Sequence, residues 1–281
     1  MTRIIDSHQH YWRTEAQDQP WRGPQHGGLE RDFEPEHLVP LLTAAGINGT
    51  VVMQSVDEPG ENDRLAAYAL HPSVLGVVSW LPVRFPDEAR AELNRIEIPK
   101  HVGVRCLVAD DPMDWLNTPP VVDLFREIAG RGLAWDIVPI TEAQIRNVVK
   151  LATAVSDLNV VIDHLGRPPI DVGGWQPWAH NMAELAELPN VSMKVSVGIN
   201  VLTAWDQWDA GAVAPFVTHV VDLFGPERLM LASNWPVVLL RTDHTTAWTE
   251  LANAALSQID SEEGRQCLLG KTAERVYGLQ P

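Results

Sequence analysis

The chain has 281 residues, and its 21 Lys and Arg against 37 Asp and Glu leave a formal net charge of −16 with His neutral. So acidic a chain argues against nucleic acid, whose phosphates demand basic patches, and against docking on an anionic membrane surface. Hydrophobic residues at 45% and charged residues at 21% are ordinary globular usage and exclude a disordered chain. Two cysteines, Cys106 and Cys267, are too few for a disulfide framework or a Cys-rich zinc site, and a reducing compartment is the simpler expectation. The first residues carry no apolar signal-peptide core, and no apolar run reaches the roughly 18 residues of a membrane span. The expectation is a cytoplasmic protein.

Short β-rich runs alternate with longer amphipathic segments. Strands are predicted over 3–6, 49–54, 74–81, 102–107, 133–138, 159–163, 191–196 and 229–233. Helices are predicted over 35–45, 61–70, 86–96, 119–131, 141–156, 175–188, 211–224 and 244–256. Thr141 followed three residues on by Gln144 forms a capping box, and Pro119 and Pro215 suit first-turn positions. Runs such as Val51-Val52-Met53 and Val160-Val161-Ile162 are apolar without alternation, the mark of parallel strands buried on both faces. Eightfold strand–helix alternation predicts a (β/α)8 TIM barrel forming one domain over residues 1–281, against the alternative of a doubly wound open sheet. The longest irregular stretch, 12–33, follows the first strand and so lies at the end of the barrel that carries active sites. A loop of that length is expected to act as a lid.

The unusual polar residues fall at predicted strand ends. In Asp6-Ser7-His8-Gln9-His10 the two histidines are two residues apart and project to one side of a strand. Such a pair suits a metal site or an electrophilic clamp on a carbonyl. His164, in Val160-Val161-Ile162-Asp163-His164, is a third candidate for the same site. Strand eight ends in Ser233-Asn234-Trp235-Pro236, where a carboxylate could serve as general base; Asn234 is a neutral amide that cannot take up a proton near pH 7. Arg105 stands in an otherwise apolar strand and Arg167 follows His164; each could grip a substrate carboxylate or hydroxyl, or hold a structural Asp. Gln54, Ser55, Asp136 and Lys194 are polar groups at barrel-strand positions, open between substrate contact and internal pairing. Trp80, Trp175 and Trp178 read as packing residues.

Taken together, Asp6-Ser7-His8-Gln9-His10-Tyr11-Trp12, Ile162-Asp163-His164-Leu165-Gly166-Arg167-Pro168 and Ser233-Asn234-Trp235-Pro236 resemble the amidohydrolase superfamily. The similarity is to its branch of sugar lactonases and 2-pyrone-4,6-dicarboxylate lactonase, L-fucono-lactonase-like aldonolactone hydrolases in particular. Val52-Met53-Gln54, Gly103-Val104-Arg105, Phe224-Gly225-Pro226-Glu227-Arg228-Leu229 and Ala273-Glu274-Arg275-Val276-Tyr277-Gly278 extend the resemblance over essentially the whole chain. It implies a (β/α)8 barrel that hydrolyses a cyclic ester. Carried over by position, His8, His10 and His164 are the histidines that polarise the carbonyl, directly or through one divalent ion, zinc in the first instance. Relatives in this branch differ in metal use, so metal-independent action is the other expectation. Arg105 and Arg167 match arginines that bind substrate carboxylate, with Gln54 and Asp136 as further candidate substrate contacts.

Asn234 departs from the pattern, because the resemblance implies an Asp there that takes the proton from the attacking water. The amide is expected to preserve the pocket and to depress hydrolysis. It is either an engineered substitution that traps substrate or a natural variant with lost or altered chemistry, and the presence of every other motif residue favours the former. The expected reaction is therefore lactone opening by water, with a small-molecule lactone as the only implied partner. The alternatives are a metal-dependent decarboxylase of the same superfamily and a catalytically silent ligand-binding barrel. There is no Gly-x-Ser-x-Gly elbow and no phosphate-cradling Gly-rich loop. Ring size and oligomeric state are not legible.

Overall fold

In the computed structural model, which describes residues 3–280, eight short strands alternate with helices along the chain. The strands are β1 Ile5–Gln9, β2 Gly49–Met53, β3 Val74–Trp80, β4 His101–Arg105, β5 Ala134–Ile137, β6 Val160–Ile162, β7 Val191–Val195 and β8 Leu229–Leu231. They form one sheet in sequential order, every neighbouring pair parallel. The ring closes just beyond β8: Gln9 bridges Trp235, the His10 amide donates to the Trp235 carbonyl at 2.8 Å, and the Asn234 amide donates to the His8 carbonyl at 2.9 Å. This is the (β/α)8 barrel that the alternation predicts.

The helices that pack around the barrel are α1 Pro35–Ala44, α2 Pro59–Tyr68, α3 Pro86–Arg95, α4 Pro119–Gly130, α5 Glu142–Ala154, α6 Trp178–Ala186, α7 Ile199–Ala204, α8 Ala210–Phe224 and α9 His244–Leu256. The chain ends in α10 Glu262–Gln266, a π turn and α11 Thr272–Tyr277. α5 starts with the capping box: the Thr141 hydroxyl accepts from the Gln144 amide, and Gln144 Oε1 accepts from the Thr141 amide. Pro119 occupies the first turn of α4 as expected. Pro215 does not do so in α8, which begins at Ala210 and carries the proline inside it, where the missing N–H forgoes one helical hydrogen bond.

Two apolar layers hold the barrel. One lies between strands and helices, with Val52, Val104, Trp135, Ile162, Met193 and Leu231 facing Phe125, Leu151, Met182 and Trp248 among others. The other fills the barrel interior, where Ile5, Val51, Val78, Val102, Val161 and Met230 are closed from below by Val276 and Tyr277 of α11. β1 runs to Gln9 rather than ending at Asp6, because residues 5–9 are all buried and Gln9 pairs with both Val52 and Trp235. Its polar letters line a barrel instead of turning out to solvent. No described helix is long and apolar enough to cross a membrane.

Candidate active site

The C-terminal ends of the strands surround a cavity of about 320 Å³. His10 follows β1, Arg105 ends β4, His164 and Arg167 follow β6, and Asn234 follows β8; all five line the cavity. Among the described residues no Asp or Glu lines it, although the chain carries 37 of them. His8 lies one layer deeper, fully buried behind His10 and His164. Its ring centroid is 4.9 Å from that of His10 and 4.4 Å from that of His164.

The three imidazoles are held neutral. Burial lowers His10 to about 3 and His164 to about 4, and drives His8 well below its usual value. His10 Nδ1 donates to the Met53 carbonyl at 3.1 Å, since a carbonyl can only accept, and this leaves a lone pair on Nε2. That lone pair faces His8 Nε2 at 3.1 Å. Two imidazole nitrogens bound to one tetrahedral zinc, each at about 2.0–2.1 Å, stand about 3.3 Å apart. His8, Asp163 and His164 also offer ligand atoms within 4.8 Å of one another. The residues therefore fit a zinc ion.

Beneath the histidines lies a buried layer of charge. Lys194 Nζ is 2.5 Å from Asp136 Oδ1 and 3.0 Å from Asp163 Oδ1, and all three side chains are fully buried. Tyr277 donates to the same Asp136 oxygen at 2.6 Å. Arg105 Nε lies 3.2 Å from Asp163 Oδ2, while its Nη1 donates to the backbone and side-chain oxygens of Gln54 at 2.9 and 3.1 Å. Burial alone raises Asp163, but Lys194, His8 and Arg105 together hold it well below the usual carboxylate range. Burial pushes Asp136 up, against the pull of Lys194.

Two of the expected substrate contacts are thereby placed elsewhere. Asp136 does not reach the cavity, because its Oδ1 is taken by Lys194 and Tyr277 inside the barrel. Gln54 is likewise fully buried off the cavity wall; it receives Arg105 and donates to Asp57 at 2.6 Å. Arg105 and Arg167 do line the cavity.

Backbone strain marks the remaining positions. His164, Leu165, Gly166 and Arg167 are four successive residues with φ between 53° and 63°, one left-handed turn. A left-handed conformation costs roughly 1–2 kcal/mol per non-glycine residue. Strain of this kind gathers at functional sites. Here it sets His164 and Arg167 on the cavity wall, with the Leu165 carbonyl tied by Trp178 Nε1 at 2.8 Å. A Cβ on Gly166 would lie 2.6 Å from Met182 Sδ, so this position is glycine for space as well as for φ. His164 Nδ1 is 2.8 Å from Ser196 Oγ. Asn234 also has a positive φ of 54°, and its Nδ2 donates to the Val197 carbonyl at 2.8 Å.

The long loop after β1 reaches over the cavity. Gln17 Nε2 donates to Ser55 Oγ at 2.7 Å, and Trp21 Nε1 donates to the Ser55 carbonyl at 2.9 Å. Ser55 is anchored in turn by Glu61, whose Oε1 accepts its amide at 2.6 Å and its hydroxyl at 2.9 Å. On the far side His26 Nδ1 accepts the Gly23 amide at 3.0 Å, so its Nε2 donates to Thr203 of α7 at 3.0 Å. Trp21 and His26 both line the cavity. The sequence picks out this loop by its length and its Trp and Gly content but gives Trp21 and His26 no role, and no motif marks Ser196 and Asn200 after β7. Asp163 and Lys194 are visible only as polar letters in apolar strands.

The amidohydrolase family model matches residues 5–279. An L-fucono-1,5-lactonase of Burkholderia ambifaria is 34% identical over 99% of this chain and 97% of its own length. An L-fucono-1,5-lactonase of Burkholderia multivorans is 30% identical over 98% and 96%. Among solved structures, an amidohydrolase from Burkholderia multivorans with bound zinc superposes with a TM-score of 0.89 at 29% identity, covering 99% of this chain and 100% of that one.

Proposed function

Since the chain belongs to the amidohydrolase family, we propose that it is a carboxylic-ester hydrolase that opens the ring of a sugar-acid or related carboxylate lactone. The observation that carries this reading is the cavity floor: neutral imidazoles of His10 and His164 beside Asn234, under a wall that holds two arginines and no acid. The Arg167 guanidinium has no hydrogen-bonding or ionic partner among the described residues, and Arg105 has Nη2 left over once Gln54 and Asp163 are satisfied. These groups suit a substrate carboxylate or hydroxyls.

His8, His10 and His164 would hold a zinc ion, which when bound supplies Lewis-acid polarisation of the lactone carbonyl. The chain's own residues do the rest. The arginines orient the lactone over the histidines, and the loop bearing Trp21 and His26 shields it from bulk water. Water attacks the carbonyl carbon, the ring C–O bond breaks, and the ring oxygen leaves with a proton. Asn234 stands where a carboxylate would take the water's proton, and an amide cannot do so. The amide thus depresses turnover while leaving the binding surface intact.

The test is hydrolysis of a panel of aldonolactones and dicarboxylate lactones, followed by proton release, by the parent chain and by Asn234→Asp. Ring opening by either chain, faster in the variant, is expected. One observation favours a second reading, a ligand-binding barrel without turnover: Asn234 is satisfied as an amide by Val197. Tight lactone binding with no hydrolysis in either chain would decide for that barrel.

A further inference from the structure

Lys194 is a wholly buried cation with more acceptors than protons. Its Nζ lies 2.5 Å from Asp136 Oδ1, 3.0 Å from Asp163 Oδ1, 3.2 Å from His8 Nδ1 and 3.4 Å from Met53 Sδ. An ammonium donates three hydrogen bonds. The two carboxylates take two, and the third goes to His8 Nδ1 or to the thioether, the weaker acceptor. The His8 ring nitrogen has a choice of its own, because Asp163 Oδ1 also stands 3.2 Å from it and could accept a proton from it.

The outcome at Nδ1 is felt on the other side of the ring. His10 Nε2 presents a lone pair to His8 Nε2 across 3.1 Å, its own proton being committed to the Met53 carbonyl. Two lone pairs cannot face each other at that distance, so the gap is closed by a proton or by a cation. When His8 Nδ1 accepts from Lys194, the single proton of neutral His8 sits on Nε2 and is donated to His10. When His8 Nδ1 instead donates to Asp163, Nε2 becomes a lone pair and the two histidines face one another as ligands.

We infer that Lys194 is the positioning residue that decides between these states: by donating to His8 Nδ1 it holds His8 as the Nε2–H tautomer, and a divalent cation enters the His8–His10 gap only when that donation is given up. No proton is gained or lost at His8 in the exchange. It moves from Nε2 to Nδ1, where Asp163 Oδ1 accepts it, and Lys194 turns its third proton to Met53 Sδ. A carboxylate behind a ligating imidazole is the arrangement that strengthens a metal site, and Lys194 competes with it. The inference rests on His8 and His10 as cation ligands and not on the identity of the lactone; hydrolysis is not its readout, so the failure of either leaves the other standing.

The direct test is nitrogen-15 NMR of the full chain, labelled at histidine and stripped of metal with a chelator, the His8 signals being assigned by their loss in His8→Gln. The expected result is a protonated Nε2 and a bare Nδ1 on His8, exchanging places when zinc chloride is added. A protonated Nδ1 in the metal-free chain overturns the inference. A second measurement avoids leaving two carboxylates without their cation. Zinc affinity, measured against a chromophoric chelator, is compared in Asp136→Asn and in the double variant Asp136→Asn with Lys194→Met, where Asp163 keeps Arg105. The double variant is expected to bind zinc at least about tenfold more tightly, the scale on which such supporting contacts act. Equal affinity overturns the inference.

Discussion

The side-chain amide of Asn234 donates to the backbone carbonyl of Val197 at 2.8 Å, and this contact fixes which end of the amide faces the protein. A carbonyl can only accept, so Nδ2 points at Val197 and Oδ1 is left toward the cavity. Asn234→Asp replaces the donor by an oxygen and sets two acceptors against each other. The substitution is expected to lower stability by about 1–3 kcal/mol, the cost of leaving a buried acceptor unmet. It is also expected to raise kcat for lactone hydrolysis by roughly 10²–10⁴, the usual contribution of a positioned general base. Thermal denaturation and initial rates on the same preparation check both. A variant no faster than its parent removes the view that position 234 limits turnover.

Arg105 and Arg167 line one cavity but answer differently to removal. The Arg167 side chain has no partner among the described residues, so Arg167→Gln is expected to raise KM about tenfold or more, from the loss of one charge-assisted contact of about 1.5–3 kcal/mol, with no change in melting temperature. Arg105 also pairs with Asp163 and caps Gln54. Arg105→Gln is therefore expected to raise KM and lower the melting temperature together. Equal melting temperatures for the two variants would contradict this division.

The contrast between these arginines shows what the sequence made legible. Strand ends announce themselves as polar letters after buried aliphatics, and that signal located His8, His10, His164, Arg105, Arg167 and Asn234 in one region. It could not separate the cavity wall from the layer beneath. Asp136 and Arg105 pair in register on adjacent strands, yet one points to Lys194 inside the barrel and the other to the cavity. That difference depends on side-chain partners brought from β7 and α11, more than fifty residues away. The C-terminal helices escaped notice for a related reason: α10 and α11 are short, and α11 forms its contacts with the barrel floor rather than with a strand of its own.

Zinc is expected to depend on His10 through its lone pair. His10→Ala removes the Nε2 that faces His8, and bound zinc measured by elemental analysis after dialysis against a zinc buffer should fall from about one per chain to a small fraction. Arg167→Gln, whose side chain bonds none of the three histidines, serves as the control and is expected to retain zinc. Full zinc in His10→Ala would exclude it as a ligand.

Acid should destabilise the metal-free chain through its buried imidazoles, which outnumber the one carboxylate, Asp136, that burial raises to about 6 and that acts in the opposite sense. His10 is lowered to about 3 by burial, and His164 and His101 to about 4, from a usual value near 6.5. The unfolded chain thus binds protons at these groups between about pH 6.5 and 4 while the folded chain does not, and stability rises with pH across that window. It is fully present above pH 6.5 and is lost on acidification at about 1.4 kcal/mol per pH unit for each such group. Urea midpoints at pH 7.5, 6.0 and 5.0 are expected to fall in that order. Equal midpoints would mean that these imidazoles are not buried as neutral groups.

The clasp at Ser55 offers the last test, because one hydroxyl joins the cavity loop to the barrel. Ser55 Oγ accepts from Gln17 at 2.7 Å and donates to Glu61 at 2.9 Å. Ser55→Ala leaves the buried Gln17 amide without that acceptor, while the Gln17 Oε1 is already without a donor. Both ends of a buried side chain then lack partners, and the loop has reason to leave. The backbone of Ser55 still holds Trp21 Nε1 at 2.9 Å, so the loop should loosen rather than detach. Amide hydrogen exchange within residues 12–33 is expected to accelerate, with the strands unaffected, and KM is expected to rise by more than kcat falls. Exchange that speeds up evenly over the whole barrel would instead make Ser55 a general packing residue, with no particular hold on the loop.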